Sequence, residues 1–453
     1  MYGERLEEVQ DRLAHHYAQT DVASKAVEYL GLVAAKAMQG YAYAEAAVAL
    51  QGALRHAERL SAEERDRSIL DLVVRQAECL FYLGRWQEAV TLLLGYYEPV
   101  QRLQEPVLAS AYYVWLTSNY GFLGQREKAA HNAPRVLEEA QRSQDALTTG
   151  QAYFCCTIED FFAGRLLQAV ECGERAVVLL ESTTDRLLLG RVLYALGLSY
   201  YFLGDLIRSL EATARAEAIG EAMGDRRLQA QGASVKRWSL ATRGDWEVGI
   251  AACRKALACS PEAWEAALDR GLLGSAYLEK GEHAAALPVL EQAVQEAVRY
   301  RSAQVQSWFK AFLGETYRVN QQLDQARDLA QQGLELAREI AHGWGAALAQ
   351  RTLGRIAHSR GNLAEARAYL QEARDTFASI HSRFELVRTH LDLATLSHVQ
   401  GDAEAASVHL SIARTWFARL QVPRYVERAE QFAQTYDLTL TEVLLDELTA
   451  DLS

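Results

Sequence analysis

The sequence predicts an all-α fold, a right-handed α-α superhelix (solenoid) of about ten helical hairpins. Three observations carry this reading. Chain-breaking residues recur with a 40-residue period, helix-forming residues fill the intervals, and 453 residues exceed what one compact core normally holds.

The period is explicit. Gly84, Gly124, Gly164, Gly204 and Gly244 stand 40 residues apart; Gly281 follows after 37, and Gln321, Gly361 and Gly401 resume the 40-residue step. Five positions after each comes a small residue: Ala89, Ala129, Ala169, Ser209, Gly249, Ala286, Ala326, Ala366 and Ala406. A second break runs in phase, at Asp145, Asp185 and Asp225, then near Pro261, Ser302, His342, Ser382 and Pro423. Between breaks, apolar residues recur at three and four, as in Leu193, Leu196 and Tyr200. Each unit is therefore two amphipathic helices of about sixteen residues. Glycine at the first break permits the left-handed turn that ends a helix. Asp205, Asn362 and Asp402, just after it, are expected to cap the next helix.

The spacing resembles the tetratricopeptide repeat (TPR). Leu273-Gly274, Tyr277, Gly281, Ala286, Leu290 and Ala293 follow that pattern throughout. Leu353-Gly354, Gly361, Ala366, Leu370 and Ala373 follow it closely, as do Leu196-Gly197, Tyr200, Gly204, Ser209 and Ala216, with Thr213 as the departure. Leu313-Gly314, Tyr317 and Ala326 fit although Gln321 replaces the turn glycine. The small residues let paired helices approach closely. The period of 40 exceeds the 34 of the standard repeat, which implies lengthened helices.

The organisation then reads as a capping helix in 1–20 (core 4–18), a repeat superhelix over 23–421, and a capping helix with a tail over 422–453. The first hairpin, helices 23–39 and 43–59, turns at Tyr41 with Ala46 and Ala53 in phase. Pro134, inside a second helix, is expected to kink or break it.

Composition narrows the function. Forty-seven basic against fifty-nine acidic residues give a net charge of −12, which argues against nucleic acid as a partner. No apolar run is long enough to span a membrane, and the charged N-terminus lacks a signal-peptide centre, so a cytoplasmic protein with no membrane partner is expected. The six cysteines form no CxxC pair and read as reduced core residues. No phosphate-binding loop, HExxH, GxSxG or EF-hand loop is present, so no catalytic residue, metal ligand or cofactor is assigned and no enzyme is expected. His342, His358, His381, His390, His398 and His409 fall at differing helix positions and read as solvated surface.

The first helix of each hairpin should line a concave groove. Its candidate partner-binding residues are Trp115, Phe122, Phe154, Ile158, Phe161, Phe162, Tyr194, Tyr201 and Phe202 in an aromatic half. Glu315, Arg318, Arg351, Arg355, His358, Arg388 and His398 form a mainly basic half. Aromatic and arginine side chains are common interface anchors. Packing between neighbouring helices is the competing role for the aromatics, and solvation for the charges.

Residues 13–54, with LAHHY and KAVEYL, also resemble the segment that opens the helical-repeat region of STAND-class signalling ATPases. The ATPase motifs themselves are absent, so nucleotide switching is not implied. The groove is expected to bind a protein, a peptide or a small inducer; the resemblance implies a sensor part, with a STAND ATPase or a cyclase or kinase effector as partner. An architectural adaptor working through its convex face or ends is the alternative.

Overall fold

The structure, a computed structural model, describes residues 3–260 and 263–441. Among them lie 23 α-helices and no strand, arranged as a TPR-like α-α solenoid. The chain divides into two compact units, residues 1–155 and 156–453, the division falling inside one helix.

In unit 1 the helices are α1 (Gly3–Tyr17), α2 (Ala23–Gln39), α3 (Tyr43–Ala57), α4 (Ala62–Tyr82), α5 (Trp86–Leu94), α6 (Tyr97–Leu103), α7 (Pro106–Phe122) and α8 (Arg126–Ser143). α9 (Ala146–Phe162) carries the division. Unit 2 continues with α10 (Leu166–Glu181), α11 (Arg186–Leu203), α12 (Leu206–Met223), α13 (Arg226–Arg243), α14 (Trp246–Cys259), α15 (Ala263–Lys280) and α16 (His283–Arg299). It ends with α17 (Ala303–Val319), α18 (Leu323–Glu339), α19 (Gly343–Ser359), α20 (Leu363–Ser379), α21 (Arg383–Val399), α22 (Ala403–Arg419) and α23 (Pro423–Thr435). The part of the expected C-terminal tail beyond residue 441 lies outside the described residues.

The turn positions do what the period implied. Gly204 sits at φ 85°, and the two residues without glycine's freedom, Gln321 (φ 63°) and Tyr41 (φ 60°), adopt the same left-handed backbone. Asp205 and Asp402 accept hydrogen bonds from the backbone N–H of Arg208 and Ala405. Asn362 makes no such cap; its side-chain amide instead reaches Glu365 at 3.4 Å. The small residues of the TPR pattern mark close helix contacts. A Cβ on Gly274 would lie 2.6 Å from Leu290 Cγ, and one on Gly197 2.5 Å from Thr213 Cγ2.

Three expectations are corrected. α8 runs unbroken through Pro134. Proline frees the carbonyl of Ala130, but both residues are exposed, so water can satisfy the orphaned acceptor. The second helix of the next-earlier hairpin, by contrast, splits into α5 and α6 at Gly95–Tyr96. His342 and His390 are buried, not solvated: His342 Nδ1 caps α19 by accepting from the Gly345 N–H at 3.0 Å, and His390 packs against His409. All six cysteines are free thiols, four of them buried.

Candidate partner-binding faces

In unit 2 the first helices of the hairpins converge on one aromatic cluster. Phe202 of α11 lies 4.9 Å from Phe161 of α9, 5.5 Å from Trp238 of α13 and 4.8 Å from Trp344 of α19, centroid to centroid. Trp308 of α17 completes the set, 5.3 Å from Trp344. Offset and edge-to-face pairs of this kind contribute about 0.5–1.5 kcal/mol each beyond the area they bury. Tyr201 stacks on Trp238 at 5.1 Å and hydrogen-bonds Thr242 at 3.2 Å.

Beside that cluster runs a lattice of ion pairs. Arg318 grips Glu315 through two bonds of 2.8 Å, and Arg355 bridges Glu315 (3.2 Å) and Asp392 (2.8 Å). Arg351, 2% exposed, pairs with Glu385 at 2.5 Å. Arg388 reaches from α21 to Glu279 of α15 at 2.7 Å, and the Tyr425 hydroxyl of α23 donates to the same carboxylate at 3.0 Å. Burial alone would raise the Glu315 carboxyl, but Arg355 and Arg318 outweigh it and hold it at about 2. Glu385 is likewise lowered, burial being outweighed by Arg351 and Arg388. Each buried charge therefore has a partner, the condition for tolerating it at all.

A second polar group lies among α11, α13, α14 and α15. Asp269 accepts from Ser234 at 2.7 Å and from Ser260, and burial pushes its carboxyl up to about 6. Glu265, paired with buried Arg227 at 3.2 Å, is also raised by burial.

Unit 1 differs. Phe81 of α4 meets Trp115 and Phe122 of α7 at 5.4 and 4.8 Å, an aromatic ladder behind the helix surface. The first helices α2, α4 and α7 leave a trough of about 750 Å³. Its walls mix Leu32, Met38 and Leu108 with Arg67, Asp71 and Arg75. Arg75 donates to the Gly31 carbonyl at 2.6 Å, fixing α4 against α2.

The sequence-predicted residues divide by exposure. Phe161, Tyr201, Phe202, Trp115 and Arg351 are buried wall; Phe122, Phe154, Ile158, Phe162, Tyr194, Arg318, Arg355, His358, Arg388 and His398 are half-buried. His398 is overlaid by Tyr436, 4.0 Å away centroid to centroid. Sequence reasoning missed Glu279, Glu385, Asp392 and Tyr425, and the tryptophans at 238, 308 and 344. A signal existed for Glu385, which stands three residues before Arg388 just as Glu315 stands before Arg318. Among the described residues no group of three His, Cys, Asp or Glu side chains could hold a metal ion, and no helix is long and apolar enough to cross a membrane.

Fold and faces together define a TPR-like α-α solenoid, and comparison with known proteins supports that fold class. The tetratricopeptide-repeat family matches residues 303–379 and, in a second match, 270–297. No curated protein matches the sequence. Among solved structures, the chain resembles a Rap protein complexed with competence and sporulation factor, with a TM-score of 0.61 and 14% identity over 80% of this chain and 99% of that one. It also resembles the Rap conjugation gene regulator of plasmid pLS20 in complex with the Phr* peptide, with a TM-score of 0.52 and 14% identity over 78% and 96%. At that identity the likeness is one of fold.

Proposed function

We propose that the chain is a non-enzymatic, cytoplasmic TPR module that binds a protein or peptide on the inner faces of its hairpins. In this reading it forms the sensor or regulatory part of a signalling system, like the repeat region of STAND-class ATPases. The observation that carries the proposal is the ion-pair lattice of unit 2. Arg318, Arg355 and Arg388 are each satisfied within the chain yet remain half-buried at the inner wall, so an incoming carboxylate can exchange for an internal one. His358, His398, Phe162 and Tyr194 would add contacts there, over the buried Phe161, Tyr201, Phe202 and Arg351. Trp115, Phe122 and Phe154 would serve the inner face of unit 1. One similar fold, solved with the Phr* peptide, is in keeping with a peptide ligand. No nucleic acid, membrane, cofactor or metal is part of the proposal.

A second reading, an architectural adaptor docking by its outward helices, is favoured by exposed valines: Val48 of α3 (70%), Val178 of α10 (71%) and Val248 of α14 (58%).

Selection from a random-peptide phage library on the immobilised full chain separates the two. Inner-face binding predicts acidic and aromatic sequences whose affinity drops at least tenfold in Arg318→Ala, with circular dichroism unchanged. Peptides indifferent to Arg318→Ala but lost in Val178→Asp would move the working surface outward.

A further inference from the structure

A cleft in unit 2, apart from the inner-wall lattice, has the makings of a second site. It lies between α20, α21 and α22 and encloses about 480 Å³, inside the range of about 300–1,000 Å³ typical of small-molecule pockets. Leu386, Val387, Ile412 and Trp416 supply its apolar walls.

Its charges cancel except for one. Arg374 is paired with Asp375 at 2.6 Å. His390 lies against His409 with Nδ1 to Nδ1 at 3.1 Å, so one ring donates to the other. Burial, the neighbouring His409 and Arg374 lower His390 to about 3, and burial with Arg374 and Arg367 lowers His409 to about 4; both stay neutral near pH 7. Arg383 is what remains. Its Nε is shielded from solvent with no hydrogen-bond partner, and among the described residues no carboxylate comes within 4 Å. Burial and the nearby Arg419 disfavour its charge, while the acid acting on it, Asp205, is already bound to Arg208. A guanidinium does not escape by losing its proton, so a half-buried positive charge without a carboxylate partner sits in a cleft of mixed polar and apolar lining.

We propose that this cleft binds a small organic monoanion with an apolar body, its single negative group on Arg383 and its hydrocarbon or ring against Trp416 and Ile412. Arg383, the cation of the lining that has no carboxylate partner, selects a negative group. A neutral molecule would leave Arg383 without a counter-charge. The site adjoins the α11–α12 turn: a Cβ built on Gly204 would lie 3.3 Å from Arg383 Cβ.

Calorimetric titration of the full chain with octanoate and phenylacetate, each beside its neutral amide, tests the assignment. The acids are expected to bind at least tenfold more tightly than the amides. Arg383→Gln should bring acids to the amide level without lowering Tm, because the guanidinium makes no ion pair that the substitution would break. Arg383→Lys should retain binding within a few-fold. Ala378→Phe, on the wall of the cleft, should abolish binding of acids and amides alike with helix content unchanged. Equal affinity for acid and amide, acid binding that survives Arg383→Gln or Ala378→Phe, or no heat with either acid would overturn the proposal.

Discussion

Unit 1 and unit 2 share one hinge geometry and use their inner faces in opposite ways. Tyr41, Gly84 and Gly124 turn the chain in the first unit as Gly204, Gly281 and Gly361 do in the second, all with positive φ. Yet α2, α4 and α7 leave a trough of about 750 Å³, while α11, α13, α17 and α19 meet around Phe202. Further along, α15 is tied to α21 and α23 through Glu279. The difference lies in what the first helices carry. Aliphatic residues and short-range charge pairs such as Arg75–Asp71 line the trough. Large rings and arginine–carboxylate pairs that reach 34 to 109 residues along the chain fill the second inner face. The repeat sets the hinge, and the inward side chains decide whether the face stays available.

That contrast can be broken at several points. The largest effect is expected from Phe202→Ala, which removes from α11 the ring that meets four other helices; it should cost unit 2 about 3–5 kcal/mol. Two-step denaturant unfolding, with the transition of residues 1–155 unmoved, would be the signature; a uniform shift of both steps would show that the units are not independent.

Next comes pH. Asp269 is raised to about 6 from an ordinary value near 3.8, so the folded chain holds a proton that the unfolded chain has lost. Stability from this group is complete below about pH 4 and falls as pH rises to 6, by on the order of 2–3 kcal/mol. Asp269→Asn should flatten that slope in chemical denaturation; an unchanged slope would reassign it to Glu265, the other raised acid. Glu315 works in the opposite sense. Its stabilisation is present above about pH 4.5 and is lost as pH falls towards 2.

Glu279→Gln should cost about 1–2 kcal/mol by weakening the hold on Arg388 and Tyr425. Hydrogen exchange would then accelerate across α21 and α23 and nowhere in residues 1–155; protection unchanged in those two helices would show that the tie is not stabilising. The smallest effect is a gain. Gln321→Gly relieves a left-handed glutamine at φ 63° and should raise stability by about 0.5–1 kcal/mol in thermal melts, whereas a loss would mean the glutamine side chain contributes more than its backbone strain costs.

Much of the fold was readable because it is local and repeated. Helices expected at 23–39 and 43–59 appear as Ala23–Gln39 and Tyr43–Ala57, and the turn at Gln321 keeps its conformation without glycine. Pro134 misled because sequence shows where a proline falls in a helix but not that its freed carbonyl faces water. The inner faces were less readable for a different reason. Whether Arg388 meets solvent or Glu279 depends on the curvature accumulated over the 109 residues between them, and no local pattern encodes that sum. The same limit hid the meeting of Phe202 with Trp344.

The tie between Glu279 and Tyr425 has a consequence for how such an array can change over generations. In an open solenoid each repeat touches only its neighbours, so a copy can be gained or lost with little cost elsewhere. Here partners 146 residues apart must arrive at the same point. Deleting one 40-residue unit from between them would carry Tyr425 a whole hairpin away from Glu279. The copy number of unit 2 is therefore held fixed by the tie, while the hairpins of unit 1 escape that constraint.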